Sequence, residues 1–191
     1  WSSLVGSEMC IRDSINTCDF NQTKLATTEI SNFDGPVYLR FGRPKVPNFT
    51  PVKDGFNIGK GILLKEGSDV TIVATGHLVW ESLEASTELE KKGISAEVIN
   101  IHTIKPLDED IILKSVSKTG CLVSAEEHNI FGGLGESISR LLTTKFPSPQ
   151  EFIGTRDTFG ESGTPLDLMN KYGLNSTSIT KSVLDVIKRK K

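Results

Sequence analysis

Apolar residues along this chain alternate between short runs and helical spacing. The runs at 69–74, 96–101 and 121–125 are bounded by glycine or polar residues, as expected of strands buried on both faces. Between the first two, Leu78, Ser82, Ala85 and Leu89 recur at helical spacing over 78–92, and Gly93 closes the segment. Pro106 stands near the start of a second helix reaching about residue 118, with Asp108, Glu109 and Asp110 suited to its dipole and Gly120 at its end. A third helix is expected over 135–146 with Ile138, Leu141 and Leu142 inward, then a strand at 151–154 and two further helices, the last over 177–188. Residues 61–64 read as one more strand, and the spacer Lys65-Glu66-Gly67-Ser68 is short enough for a hairpin onto 69–74. That places 61–64 as an antiparallel edge. Strands alternating with helices of about a dozen residues predict an α/β fold, a doubly wound and mostly parallel sheet with helices on both faces, over 56–191.

Ahead of this lies a shorter pattern. Residues 21–33 suit a helix with Leu25 and Ile30 on one side, and residues 36–41 suit a strand. The stretch 42–55 carries Pro44, Pro47 and Pro51, each of which fixes φ and removes a backbone donor, so it is expected to be an extended linker. Residues 1–14 fit neither period and lack the build of a signal peptide. They resemble the translation of a transposon-based sequencing adapter, so we expect a scar there and a truncated amino end.

Apolar residues make up 37% of the chain and charged residues 24%, a balance that excludes disordered and fibrous classes. No apolar run approaches the roughly 20 residues that span a bilayer, so no membrane role is expected. The formal charge of −2 offers no broad attraction for nucleic acid, and the basic end Lys188-Arg189-Lys190-Lys191 suits a helix terminus. Three cysteines without metal or redox spacing point to a reducing compartment, with the cytoplasm as the default.

Three groups are candidates for chemistry. Gly132-Gly133-Leu134-Gly135, between a strand and a helix, could cradle a phosphate or pack the helix closely on the sheet, and packing is the favoured reading. His77, Glu126, Glu127 and His128 fall at the carboxyl edge of the sheet, either as acid/base equipment or as polar residues facing a neighbouring domain; the interface reading is favoured. The three histidines share no metal-ligand spacing, and no metal site is expected. Arg40 and Arg43 end the strand before the linker, where an arginine can fork onto a phosphate or form a surface salt bridge.

The segment Gly35-Pro36-Val37-Tyr38-Leu39-Arg40-Phe41-Gly42-Arg43-Pro44 resembles the last strand of the pyrimidine-binding domain of transketolases. Thr75-Gly76-His77, Ile104-Lys105-Pro106-Leu107-Asp108, Ala125-Glu126-Glu127-His128, Asp157-Thr158-Phe159-Gly160 and Tyr172-Gly173-Leu174 follow in transketolase order. The ordered set most resembles the carboxyl-terminal subunit of split, two-chain transketolases. It implies a remnant of the pyrimidine-binding domain over 15–43, a linker over 44–55 and a transketolase-like carboxyl-terminal domain over 56–191. It also implies thiamine diphosphate and Mg2+ in the full enzyme, two-carbon ketol transfer between sugar phosphates of the pentose phosphate pathway, and an amino-terminal partner subunit in a homodimeric or heterotetrameric assembly. Such enzymes bind diphosphate through a Gly-Asp-Gly motif, which this sequence lacks. The fragment alone is therefore expected to be inactive and to bind no cofactor. Arg43 is the position the resemblance assigns to the substrate phosphate. Deoxyxylulose-phosphate synthase and the beta chain of an oxo-acid dehydrogenase are the nearer alternatives, and a non-catalytic nucleotide-binding or interaction module is the more distant one.

Overall fold

The structure, a computed structural model, describes residues 13–42, 45–52 and 55–190. A five-stranded sheet forms its centre, in the order β3 (Ile62–Lys65), β5 (Ala96–Asn100), β4 (Val70–Ala74), β7 (Leu122–Asn129) and β8 (Gln150–Thr155). β4, β5, β7 and β8 are parallel, and β3 runs antiparallel at the edge. Every residue of β4 and β5 is buried, the pattern of strands covered on both faces. On one face α2 (Leu78–Glu90) and α6 (Ser176–Lys188) pack Leu78, Ile179 and Val183 against Ile72, Val98 and Val123. On the other, α3 (Glu109–Thr119) and α4 (Leu134–Lys145) pack Ile112, Val116, Ile138 and Leu141 against Val73, Ile99 and Leu122. The expected inward residues of these helices are all buried. α5 (Pro165–Lys171) is a short helix started by Thr164, whose hydroxyl accepts from Asp167 N.

The β3–β4 hairpin is not formed. β5 lies between the two strands, so the connection at 66–69 crosses the amino end of β5. A four-residue connection reaches about 13 Å, enough for two strand spacings of about 4.8 Å each, so its length is compatible with either route. Ser68 N and Asp69 N donate to Ser95 O at 3.1 and 2.8 Å, and Asp69 Oδ2 accepts from Ser95 N at 2.7 Å. Gly67 makes the crossing feasible, because a Cβ there would stand 2.2 Å from the Ala96 carbonyl carbon. Gly67→Ala should cost about 2 kcal/mol through this backbone clash, read as a lower urea midpoint at unchanged m-value.

A second, three-stranded sheet has the order β2 (Val37–Arg40), β1 (Asp13–Asn16), β6 (Thr103–Lys105). β1 and β2 are parallel and joined by α1 (Phe20–Ile30), while β6 pairs antiparallel with β1. β1 takes in Asp13 and Ser14, the last two residues of the segment read as a scar. β6, a strand not apparent from the sequence, reaches out of the larger domain to complete this sheet. Asp19 ties the proline stretch to it. Its Oδ1 accepts from Gln22 N at 2.8 Å, capping α1, and its Oδ2 accepts from Phe49 N and Thr50 N at 2.9 and 2.8 Å.

Candidate functional site

The carboxyl ends of β2, β4 and β7 meet where the two sheets adjoin. β7 runs on to Asn129, so Glu126, Glu127 and His128 lie on the strand; His128 does not follow it, as the sequence reading had it. Alternation along a strand sends neighbours to opposite sides, and the three residues have different fates.

Glu126 is buried and turns toward the glycine loop. Its Oε2 accepts from Leu134 N and its Oε1 from Gly135 N, both at 2.8 Å. Glu136 Oε2 accepts from Gly132 N at 2.8 Å. The amides that would have faced a phosphate are thus taken by carboxylates of this chain, as the charge preference of a helix amino end allows. A Cβ on Gly133 would stand 2.1 Å from Glu126 Oε2, and one on Gly135 would stand 2.6 Å from the Phe152 ring. The glycines therefore serve close packing. Burial pushes the Glu126 carboxyl above the usual range, partly offset by the two amides and by His128 and Arg40.

Glu127 points to the seam between the sheets. Its Oε2 lies 3.5 Å from His77 Nδ1 and its Oε1 lies 3.9 Å from Arg40 Nη2. The hydrogen bond with His77 holds its carboxyl below the usual range, against burial, and the His77 and Arg40 charges add to this. His77 is buried at the start of α2, and the chain presses on its ring: a Cβ on Gly42 would stand 2.1 Å from His77 Nε2. Gly42 is the functionally placed residue that sequence reasoning missed, and its position between two arginines was the available cue. His128 is exposed and donates from Nδ1 to Asn129 O at 2.8 Å.

Two hollows flank this junction. One, of about 210 Å³, is lined by Asn16, Tyr38, Arg40, Thr75, Glu126 and His128. The other, of about 530 Å³, is lined by Thr17, Asp19, Phe41, Gly42, Lys45 and His77. Arg43, assigned to the substrate phosphate by resemblance, lies outside the described residues. Among the described residues no three His, Cys, Asp or Glu side chains are placed to hold a metal ion, and no helix is long and apolar enough to cross a membrane. With its amides occupied by Glu126 and Glu136, the glycine loop does not fit a diphosphate.

The chain is a doubly wound domain with one antiparallel edge, stitched to a strand-helix-strand unit and carrying a carboxylate-filled glycine loop. The family model for the transketolase C-terminal domain matches residues 59–179, and the chain belongs to that family. It is 43% identical over 172 residues, 90% of its length, to the 6-deoxy-6-sulfo-D-fructose transketolase subunit of Clostridium sp. (strain MSTE9), and covers 53% of that protein. A solved structure described as a split gene transketolase, inactive beta4 tetramer, superposes with a TM-score of 0.91 at 38% identity, over 94% of this chain and 59% of that one. 1-Deoxy-D-xylulose-5-phosphate synthase of Caldanaerobacter subterraneus subsp. tengcongensis is 37% identical over 155 residues, 80% of this chain and 25% of the synthase. The chain spans about half the length of the transketolase relatives it matches.

Proposed function

We propose that this chain is the carboxyl-terminal part of a transketolase subunit that moves a two-carbon ketol unit between sugar phosphates. It works together with an amino-terminal partner chain, in a cytoplasmic homodimeric or heterotetrameric assembly. Thiamine diphosphate and Mg2+, held elsewhere in the full enzyme, supply the chemistry of ketol transfer. The observation that carries the reading is the joining of the family domain to β2 through β6 and β1, in a chain that is 43% identical to a transketolase subunit and superposes on a split transketolase with a TM-score of 0.91. This chain's own part is assembly and contact with the substrate's phosphate end. Arg43 offers a rigid bidentate cation for that phosphate. His77 and Glu127 serve the seam between sheets, Glu126 serves the glycine loop and His128 lies at the exposed edge, so this group supports assembly rather than proton transfer; Glu126 and Glu127 are both committed to internal partners.

The test is reconstitution. A full-length parent of this chain, co-expressed with a chain carrying Gly-Asp-Gly, should show thiamine-dependent ketol transfer, and this fragment alone should show none. Arg43→Ala in that parent should raise KM for phosphorylated sugars about tenfold or more with little change for unphosphorylated ones. Equal effects on both kinds of sugar would reject the phosphate role. Activity confined to pyruvate would favour the synthase reading, which the 37% identity to a synthase keeps in view.

A further inference from the structure

His77 meets Gly42 across the seam, and Gly42 directly precedes the arginine proposed for the substrate's phosphate. His77 is buried at the head of α2, with its Nδ1 3.5 Å from Glu127 Oε2. Glu127 also faces Arg40 at 3.9 Å, and the Arg40 carbonyl accepts from Thr17 N at 3.2 Å, so the carboxyl end of β2 is tied to both β7 and the end of β1. A side chain at 42 would fall inside the imidazole: a Cβ there would stand 2.1 Å from Cε1 and from Nε2. The φ of Gly42 lies outside the left-handed region, so it is the ring, and not the path of the backbone, that demands glycine. α2 touches the connector again at Trp80, whose ring centroid lies 5.5 Å from that of Phe49.

A guanidinium grips a phosphate through two parallel hydrogen bonds, which reward a side chain launched from a fixed point. Ordering even one backbone residue at the moment of binding would cost about five- to thirtyfold in affinity. We infer that His77, held by Glu127, is a positioning residue for the substrate's phosphate: its ring fixes Gly42 and, through the chain, the point from which Arg43 extends. The inference rests on the proposed phosphate role of Arg43. It gives the larger domain a part in substrate recognition without any contact to the substrate, since His77 and Glu127 act only through β2. A ring that merely filled space in the seam would affect every sugar alike; a ring that aims Arg43 affects only sugars that carry a phosphate.

A double-mutant cycle in the full-length parent, reconstituted with its partner chain, tests this. Gly42→Ala drives a methyl group into the ring and should raise KM for a phosphorylated sugar about tenfold, with kcat and the KM for the unphosphorylated sugar little changed. His77→Ala alone should raise the same KM about fivefold by freeing Gly42. With both changes together the methyl group gains the room the ring has left, so KM should fall at least threefold below that of Gly42→Ala; two independent sites would instead multiply their effects. If Gly42→Ala does not fold, as judged by circular dichroism, His77→Ala carries the test on its own through the same phosphate-selective rise. Wild-type KM values in the variants, equal losses for both kinds of sugar, or effects that simply multiply would overturn the inference. Arg43→Ala is measured alongside: if it shows no preference for phosphorylated sugars, the phosphate reading falls and the inference with it. If it shows that preference while positions 42 and 77 act independently, only the inference is rejected.

Discussion

Glu126→Ala lowers the stability of the chain by about 3 kcal/mol, because it strips the acceptor from two buried amides at the start of α4. The carboxylate does for the glycine loop what a bound anion does for similar loops elsewhere, and the alanine variant should therefore regain stability when acetate or formate is added in excess. The wild-type chain, whose cradle is filled, should not respond. Chemical denaturation with and without the added anion checks both halves. A variant as stable as wild type, or one indifferent to carboxylates, would remove Glu126 from this role. The sign of its own titration runs the other way: burial raises the folded pKa, so its contribution is fullest at low pH and declines as pH rises through that value.

Acid should unfold the chain chiefly through His102. This side chain is buried under the Phe56 ring, with its Nδ1 3.0 Å from Thr103 Oγ1, and burial lowers its pKa to about 4, with Asp108 opposing. Folded and unfolded chains both hold it neutral above about 6.5. As pH falls from there, the unfolded chain takes up the proton first, so stability is lost down to the folded value of about 4. The gap corresponds to about 3 kcal/mol. Glu127 and Glu97, both held below the carboxylate range, lose their contributions in the same direction at lower pH. His102→Gln isolates the histidine's share. Unfolding free energy measured between about pH 7 and pH 4 should fall less steeply in the variant than in wild type. Parallel curves would show that His102 does not carry the acid sensitivity.

The layers of the domain were legible because its strands and helices obey their own periods. β4 and β5 are apolar on both faces, and α4 turns Ile138, Leu141 and Leu142 inward as their spacing requires. Strand order was not legible at β3. A hairpin and a crossing over β5 need similar connection lengths, and only the contact at Gly67 tells them apart. β6 is three residues with one apolar side chain, too short for a period, and exists because β1 offers it an edge. At the site, sequence placed His77 and Glu126 to His128 at the correct sheet edge. What each binds depends on which way a strand residue faces. Neither the capture of α4 amides by Glu126 nor the contact of Gly42 with His77 follows from spacing. Glycines next to an arginine pair and at the head of a helix were the cues that could have been weighed more heavily.

β6 belongs to the segment that matches the family domain, yet its main chain is laced into the sheet built from residues 13–40. A proline-rich connector ordinarily suggests two bodies free to rock, but rocking here would tear peptide-to-peptide bonds, and Asp19 grips the connector as well. Both halves must travel as one block. Any large opening has to form at the outer faces of this block, not along its seam.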